Sequence, residues 1–499
     1  VLVVSSAVEG TNPEVMEARK SGIPVIPRAE MLAELMRLKT SVAVAGSHGK
    51  TSTTSIIGVM LTQAGLDPTL VIGGRVNNLG LNARLGSGEL LVAEADESDG
   101  SFLLLSPTIT VVTNIDREHM NYYRDMEALR EAFLAFINRV PFYGASILCL
   151  DDPGVQALIP RVNKRVVTYG LSAQAEITAK NIRAEGWGRS FDLARKGEIV
   201  ARVSLGIPGR HNVLNALAAA AVGLELGLTP KEASEGIGAF KGVGRRFEHK
   251  GEAKGITVID DYGHHPAEVA ATLSALAERY PGRRKVVVFQ PHRHTRTRDL
   301  FDRFVVSFNE ADKLFLTDIY AAGETPFESI TSETLAQAII GHGHKGAEYL
   351  GPMDTLAERV LEKLKEGDVV MTLGAGSVYQ AGERILKALE EMEGKGAKST
   401  KNLKEEKKIK PLALGDKKTK PSPNQADKAE KAEEEKSEEK KAQERKTGKK
   451  KAQKKNTQEK NTQAKNTQEK NTQAKNTQAK ANEEKKIGKK KAAKGEGRS

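Results

Sequence analysis

The stretch Val42-Ala-Val-Ala-Gly-Ser-His-Gly-Lys-Thr-Ser-Thr-Thr54 leaves this chain few ways to fold. Its apolar, β-branched start (Val42 to Ala45) reads as a buried parallel strand, and Gly46 and Gly49 open a tight loop before a long apolar-periodic helix. Strand, glycine loop and helix together make a phosphate cradle, because loop N–H groups and a helix N-terminus both face an anion. Lys50 is placed for β/γ-phosphates and the Thr51 hydroxyl for Mg²⁺. The standard pattern has a glycine where this chain has Val44, so an ordinary glycine-rich strand–helix turn is the simpler alternative.

At 499 residues the chain has room for about three domains. Its net charge of +12 is unevenly spread: residues 394–499 carry 34 Lys+Arg against 16 Asp+Glu, which leaves residues 1–393 at −6. The folded part is therefore mildly acidic, and no specific nucleic-acid role is expected of it. A five-residue repeat, Asn-Thr-Gln-(Glu/Ala)-Lys, runs from Asn456 to Lys480 with no hydrophobic period. Residues 394–499 are expected to be a disordered, lysine-rich tail that touches anionic polymers weakly, or is simply solvated. The single cysteine, Cys149, lies in an apolar strand-like run and excludes an internal disulfide framework, which suits a reducing cytoplasm. No run approaches the ~18 apolar residues of a membrane span, so no membrane insertion is expected.

Taken in order, residues 1–40 read as strand, helix (Pro13–Ser21), strand (Ile23–Ile26) and helix (Ala29–Leu38), the back half of an α/β sandwich. Residues 41–245 alternate strands and helices, with Leu90–Glu94 and Ile109–Asn114 ending in polar residues where an open parallel sheet collects ligands. Residues 165–205 look like antiparallel strands, and an alanine-rich helix follows Gly209. Residues 246–393 form another α/β unit, with strands at Thr257–Asp261, Lys285–Phe289 and Val369–Leu373.

Glu94 ends its strand inside the acidic run Glu94-Ala-Asp-Glu-Ser-Asp99, and a carboxylate there suits a hard cation. His119, five residues past Asn114, shares that sheet edge and is a second metal or phosphate candidate. Later loops hold His211, Asn212, Asn215, Arg246, Asp261, His265, Arg293 and Arg296. Clustered guanidinium forks suit phosphates and a carboxylate, though surface charge is the plainer account of any one of them.

Five motifs in sequence carry a resemblance: Ala45–Thr51, Glu94–Asp99, Gly209-Arg-His-Asn-Val-Leu-Asn215, Gly244-Arg-Arg246 and Asp260-Asp-Tyr-Gly-His-His-Pro266. Over residues 1–393 the chain resembles the Mur ligases of peptidoglycan synthesis. The resemblance implies an α/β fold in three domains: a UDP-sugar-binding remnant (1–40), a central P-loop-type ATPase (41–245) and a Rossmann-like ligase domain (246–393). It also implies the chemistry. The lactyl carboxylate of UDP-N-acetylmuramate attacks the γ-phosphate of ATP, and the amine of L-alanine displaces phosphate from the acyl phosphate. Attachment of a tripeptide to the same sugar, and a non-catalytic scaffold with a polyanion-binding tail, are the alternatives.

Carried over by motif, Gly46, Ser47, His48, Gly49, Lys50, Thr51, Ser52 and Asn114 would meet the ATP phosphates. Asn212 and Asn215 would face adenine beside His211, while Arg246 and Asp261 would close on the nucleotide. Thr51, Glu94 and His119 would hold Mg²⁺. Lys50, His119, His265, Arg293 and Arg296 would carry the reaction, the two arginines also binding substrate. The family's glycine-rich loop for the UDP diphosphate is expected upstream of Val1, which leaves Ser5 and Ser6 as the sugar-nucleotide candidates. On that basis this stretch of chain is expected to bind ATP–Mg²⁺ but to ligate weakly or not at all.

Overall fold

Two largely parallel sheets, each with helices on both faces, organise the protein. The computed structural model describes the backbone of residues 1–5, 7–74 and 82–406, with side chains to residue 394. Ser6 and residues 407–499, most of the lysine-rich segment, lie outside the described residues.

The first strands, β1 (Leu2–Val4) and β2 (Val25–Pro27), pair in parallel beside helices α1 (Pro13–Lys20) and α2 (Arg28–Arg37). The larger sheet is built from β3 (Thr40–Ala45), β4 (Thr69–Val71), β5 (Ala83–Arg84), β6 (Leu90–Glu94), β7 (Ile109–Val112), β8 (Ala145–Cys149) and β9 (Val166–Gly170). The meander β10 (Ile177–Glu185), β11 (Gly188–Arg195) and β12 (Glu198–Leu205) completes it. Its order is β12-β11-β10-β9-β8-β7-β3-β6-β4-β5. Antiparallel pairing between 165 and 205 holds for β10–β12 only, since β9 pairs in parallel with β8. The chain crosses over through the short helix Pro153–Gln156 before β9, and a crossover returns a strand in the parallel sense.

Helix α3 (Lys50–Gln63) is apolar or small around nearly its whole circumference, as a helix buried on all sides must be. It is covered by α5 (Arg210–Glu225) and α6 (Pro230–Gly238), whose small residues permit close approach: a Cβ on Gly236 would stand 2.8 Å from the Met60 Cα. The other sheet face holds α4 (Met126–Ile137) and the packed rings Phe102, Phe133 and Phe136.

The second sheet runs β13-β14-β18-β15-β16-β17, from β13 (Glu248–Ala253), β14 (Ile256–Asp261), β15 (Lys285–Phe289), β16 (Lys313–Leu316), β17 (Ala347–Tyr349) and β18 (Val369–Leu373). Only β13 is antiparallel to its neighbour. Helix α7 (Pro266–Arg279) covers one face, and α8 (Tyr379–Glu406) packs on the other through Ala381, Ile385 and Leu389. The backbone of α8 continues to Glu406, so helix extends thirteen residues into the segment from 394 that sequence composition assigns to a disordered tail. Among the described residues, no helix is long and apolar enough to cross a membrane.

Candidate active site

The phosphate-type loop leaves the carboxyl end of β3, the strand flanked by β6 and β7. Open parallel sheets bind ligands at such a switch point. Gly46 adopts φ +134° and Gly49 +83°, backbone that side chains rarely tolerate. The loop is tied to the end of β7: Ser47 N–H donates to the Asn114 carbonyl (3.0 Å) and His48 N–H to Asn114 Oδ1 (2.8 Å). Thr113 Oγ1 and Asn114 Nδ2 both donate to the His48 carbonyl. Thr113 and Asn114 thus hold the loop, which is why the regular strand stops at Val112.

Lys50 lies back over the loop, donating to the Gly46 carbonyl (2.5 Å), and pairs with Glu97 Oε1 at 2.8 Å. The Glu97 side chain is 1 % exposed, and its second oxygen, Oε2, is buried without a hydrogen-bond partner. Burial pushes the Glu97 carboxyl up, but Lys50 and His119 together outweigh it and the net shift is downward. His119 Nε2 stands 3.4 Å from Glu97 and 3.7 Å from Glu118, so these three could converge on one cation. Thr51 Oγ1 instead donates to Glu94 (3.2 Å), whose other oxygen accepts from Gly73 N–H. The sequence-predicted metal residues therefore fall into two neighbouring groups, Thr51–Glu94 and His119 with the two carboxylates that sequence reasoning missed.

Two clefts open on this loop. One, about 590 Å³, is lined by His48, Gly49, Ser52, Asn114, His211, Asn212, Asn215, Arg246 and Asp261, with Ile207, Phe240 and Phe247 as apolar wall. Its amides are oriented: Asn215 donates to Asn212 (3.1 Å), which donates to the Pro208 carbonyl (2.7 Å). Asp261 accepts from Phe247 and Gly263 N–H, and burial raises it to about 6 despite Arg246. The pocket suits a flat aromatic ligand with a polar rim.

The other, about 620 Å³, is lined by Lys50, Thr51, Glu118, His119, Arg293 and Arg296, among others. Arg296 pairs with Glu118 at 3.1 Å, and Arg293, at φ +69°, donates its N–H to the Tyr320 carbonyl. Gly49, Arg246 and Glu268 line both clefts. His265 lines neither: it is fully buried, its Nδ1 accepting from Ala267 N–H to cap α7, with Nε2 unpartnered. Ser5 is exposed and accepts from Ala7 N–H, away from both clefts.

His48 is held by carboxylates on both sides, Nδ1 against Glu268 Oε1 (3.1 Å) and Nε2 against Asp116 Oδ2 (3.3 Å). Burial alone would lower its pKa, but those two hydrogen bonds raise it to about 10. A folded-state value above the unfolded 6.5 adds stability that is complete below about pH 6.5 and is lost as pH rises through 10. The melting temperature of His48→Gln should therefore lie furthest below that of the unaltered protein at pH 6–7 and approach it near pH 10. Differential scanning calorimetry across that range checks it.

Residues 1–40 match the Mur ligase family catalytic domain, 44–223 the Mur ligase middle domain, and 245–376 the Mur ligase glutamate ligase domain. The chain is 56 % identical over 392 residues to the UDP-N-acetylmuramate–L-alanine ligase of Geobacter sulfurreducens, covering 78 % of this chain and 85 % of that one. It is 55 % identical over 391 residues, with the same coverage, to the enzyme of that name from Pelobacter propionicus. Among solved structures, the UDP-N-acetylmuramate–alanine ligase of Thermotoga maritima superposes with a TM-score of 0.66 at 26 % identity, over 78 % of this chain and 85 % of that one.

Proposed function

Since the chain belongs to the Mur ligase family, we propose that it joins L-alanine to the lactyl carboxylate of UDP-N-acetylmuramate, using ATP, in peptidoglycan precursor synthesis. One observation carries the proposal beyond its relatives' names: the amide-rimmed pocket and the arginine-lined cleft meet at Gly49 of the loop, with Arg246 and Glu268 on the walls of both. A nucleotide seated in the first would present its terminal phosphate to a carboxylate held in the second. Phosphoryl transfer depends mostly on such positioning and on charge neutralisation.

In this account Asn212 and Asn215 read the base, Asp261 takes a ribose hydroxyl, and the loop N–H groups with Lys50 hold the β- and γ-phosphates. The sugar-nucleotide carboxylate attacks the γ-phosphorus and ADP leaves. The alanine amine then attacks the acyl carbon and phosphate leaves. Arg293 and Arg296 hold the reacting carboxylates in register, and His119 borders the phosphate.

The donor set fits Mg²⁺, because Thr51, Glu94, Glu97 and Glu118 are hard oxygen donors and the unpartnered Glu97 oxygen is a buried acceptor in need of a cation. When bound, Mg²⁺ neutralises phosphate charge. The division into 1–40, 41–245 and 246–393 stays a proposal, supported by family-domain matches over 1–40, 44–223 and 245–376. A cytoplasmic location agrees with a lone buried thiol, and weak polyanion contacts remain the proposal for the lysine-rich 394–499.

The test supplies the protein with Mg²⁺, ATP and UDP-N-acetylmuramate, then adds L-alanine or the tripeptide. Alanine should drive phosphate release at least ~10-fold faster. Release with the tripeptide alone would replace alanine as the substrate, and release with neither would bear out the weak or absent ligation expected from the sequence and overturn the proposal that this chain ligates.

A further inference from the structure

Glu268 sits at the third position of α7 and does two jobs. One oxygen, Oε2, accepts from the His264 and His265 N–H groups (3.0 and 3.2 Å), closing the helix cap. The other reaches out of the helix to His48 Nδ1, on a loop 220 residues earlier in the chain. The other ring nitrogen, Nε2, meets Asp116, and Asp116 is gripped in turn by both terminal nitrogens of Arg303 (2.8 and 3.1 Å). Two side chains from the 246–393 domain thus converge, one directly and one through Asp116, on one ring of the phosphate loop. A helix cap needs only one carboxylate oxygen, and capping does not account for the second contact. Glu268 is also one of the few residues on the walls of both clefts.

We propose that Glu268 is a positioning residue that latches the second sheet's domain onto the phosphate loop through His48, setting the distance between the nucleotide pocket and the arginine-lined cleft. The idea rests on the ligase assignment only for its effect on rate. The latch itself is a contact that physical measurements read without turnover.

The chain supplies its own reporter. Trp187, its single tryptophan, lies in the turn between β10 and β11 and packs against Phe247, His249 and Tyr280, with the Arg279 guanidinium 5.0 Å from its ring. Arg279 and Tyr280 close the far end of α7, the helix whose start carries Glu268. Release of the latch should loosen that packing and open Trp187 to solvent.

The experiment compares the full chain with His48→Gln, Glu268→Gln and the double variant. It reads acrylamide quenching of Trp187 with a non-hydrolysable ATP analogue and Mg²⁺, and ligation rate. With nucleotide saturating, each single variant should make Trp187 at least ~2-fold more quenchable and lower kcat ~10- to 100-fold. Partners in one contact lose it once, so the double variant should fall within ~3-fold of the worse single. The latch is overturned if the two losses multiply or if Trp187 stays shielded. An unaltered protein that shows no ligation would sink the ligase assignment, while the quenching comparison would still decide the latch.

Discussion

Lys50→Ala is expected to lower the ligation rate at least ~1,000-fold, the scale set by removing a cation from a phosphoryl-transfer site. The same substitution should also destabilise the protein. Lys50 neutralises Glu97, whose side chain is 1 % exposed, and removing one partner of a buried ion pair typically costs about 3–5 kcal/mol. A bare loss of activity would therefore mix two causes. The pair Lys50→Met/Glu97→Gln separates them, because it removes both charges and keeps much of the volume. Its melting temperature should recover most of what Lys50→Ala loses, while its ligation rate stays at the Lys50→Ala level. Phosphate release and thermal melting, measured together, check this. Ligation at an undiminished rate in Lys50→Ala would remove the phosphoryl-transfer account altogether.

What the sequence disclosed about this site divides by distance along the chain. The β3–loop–α3 unit was legible because everything that makes it, an apolar run, two glycines and Gly49-Lys50-Thr51, lies within thirteen residues. Glu94 was legible for the same reason, as the last residue of its own strand. Glu97 was not. Which of four clustered carboxylates turns onto Lys50 is decided by the chain reversal at Gly100 (φ +70°) and by Tyr123 donating to the Glu97 carbonyl. Arg296–Glu118, His48–Glu268 and Arg303–Asp116 join residues 178 to 220 apart, and no local period encodes such pairs. His265 illustrates the converse. Its motif resembles the family's, and the resemblance put it beside the reacting carboxylate, whereas the structure makes it the cap of α7, its ring tilted against that of His48 at 4.6 Å between centroids. The parallel sense of β9 was hidden for a similar reason, since residue alternation reports which face a strand buries and not its direction.

Gly46→Ala is expected to weaken ATP binding ~100-fold or more and to abolish measurable ligation, though it adds a single methyl group. A Cβ at Gly46 would lie 2.0 Å from Thr113 Oγ1 and 3.0 and 3.1 Å from the backbone nitrogens of Thr113 and Asn114. The hydroxyl can rotate away, but the nitrogens cannot, because Thr113 N–H is fixed to the Ala45 carbonyl. The loop must therefore lift from β7 and give up the Ser47 and His48 hydrogen bonds that shape it. Left-handed backbone strain adds only about 1–2 kcal/mol, and a control isolates that part. Gly197 has φ +87° and open space, with no atom within 4 Å, where a Cβ would stand, so Gly197→Ala should cost strain alone and leave nucleotide affinity unchanged. Gly49→Ala should fall between them, since its Cβ meets the far end of the Asn215 amide at 2.7 Å, a group able to shift. Adding Thr113→Ala to Gly46→Ala removes the nearest clash and leaves the backbone contacts, so it should restore only a small part of the affinity. Calorimetric titration of the four variants with ATP–Mg²⁺ ranks them. Full recovery in the Thr113 double variant would mean that the hydroxyl, and not the strand backbone, dictates glycine at position 46.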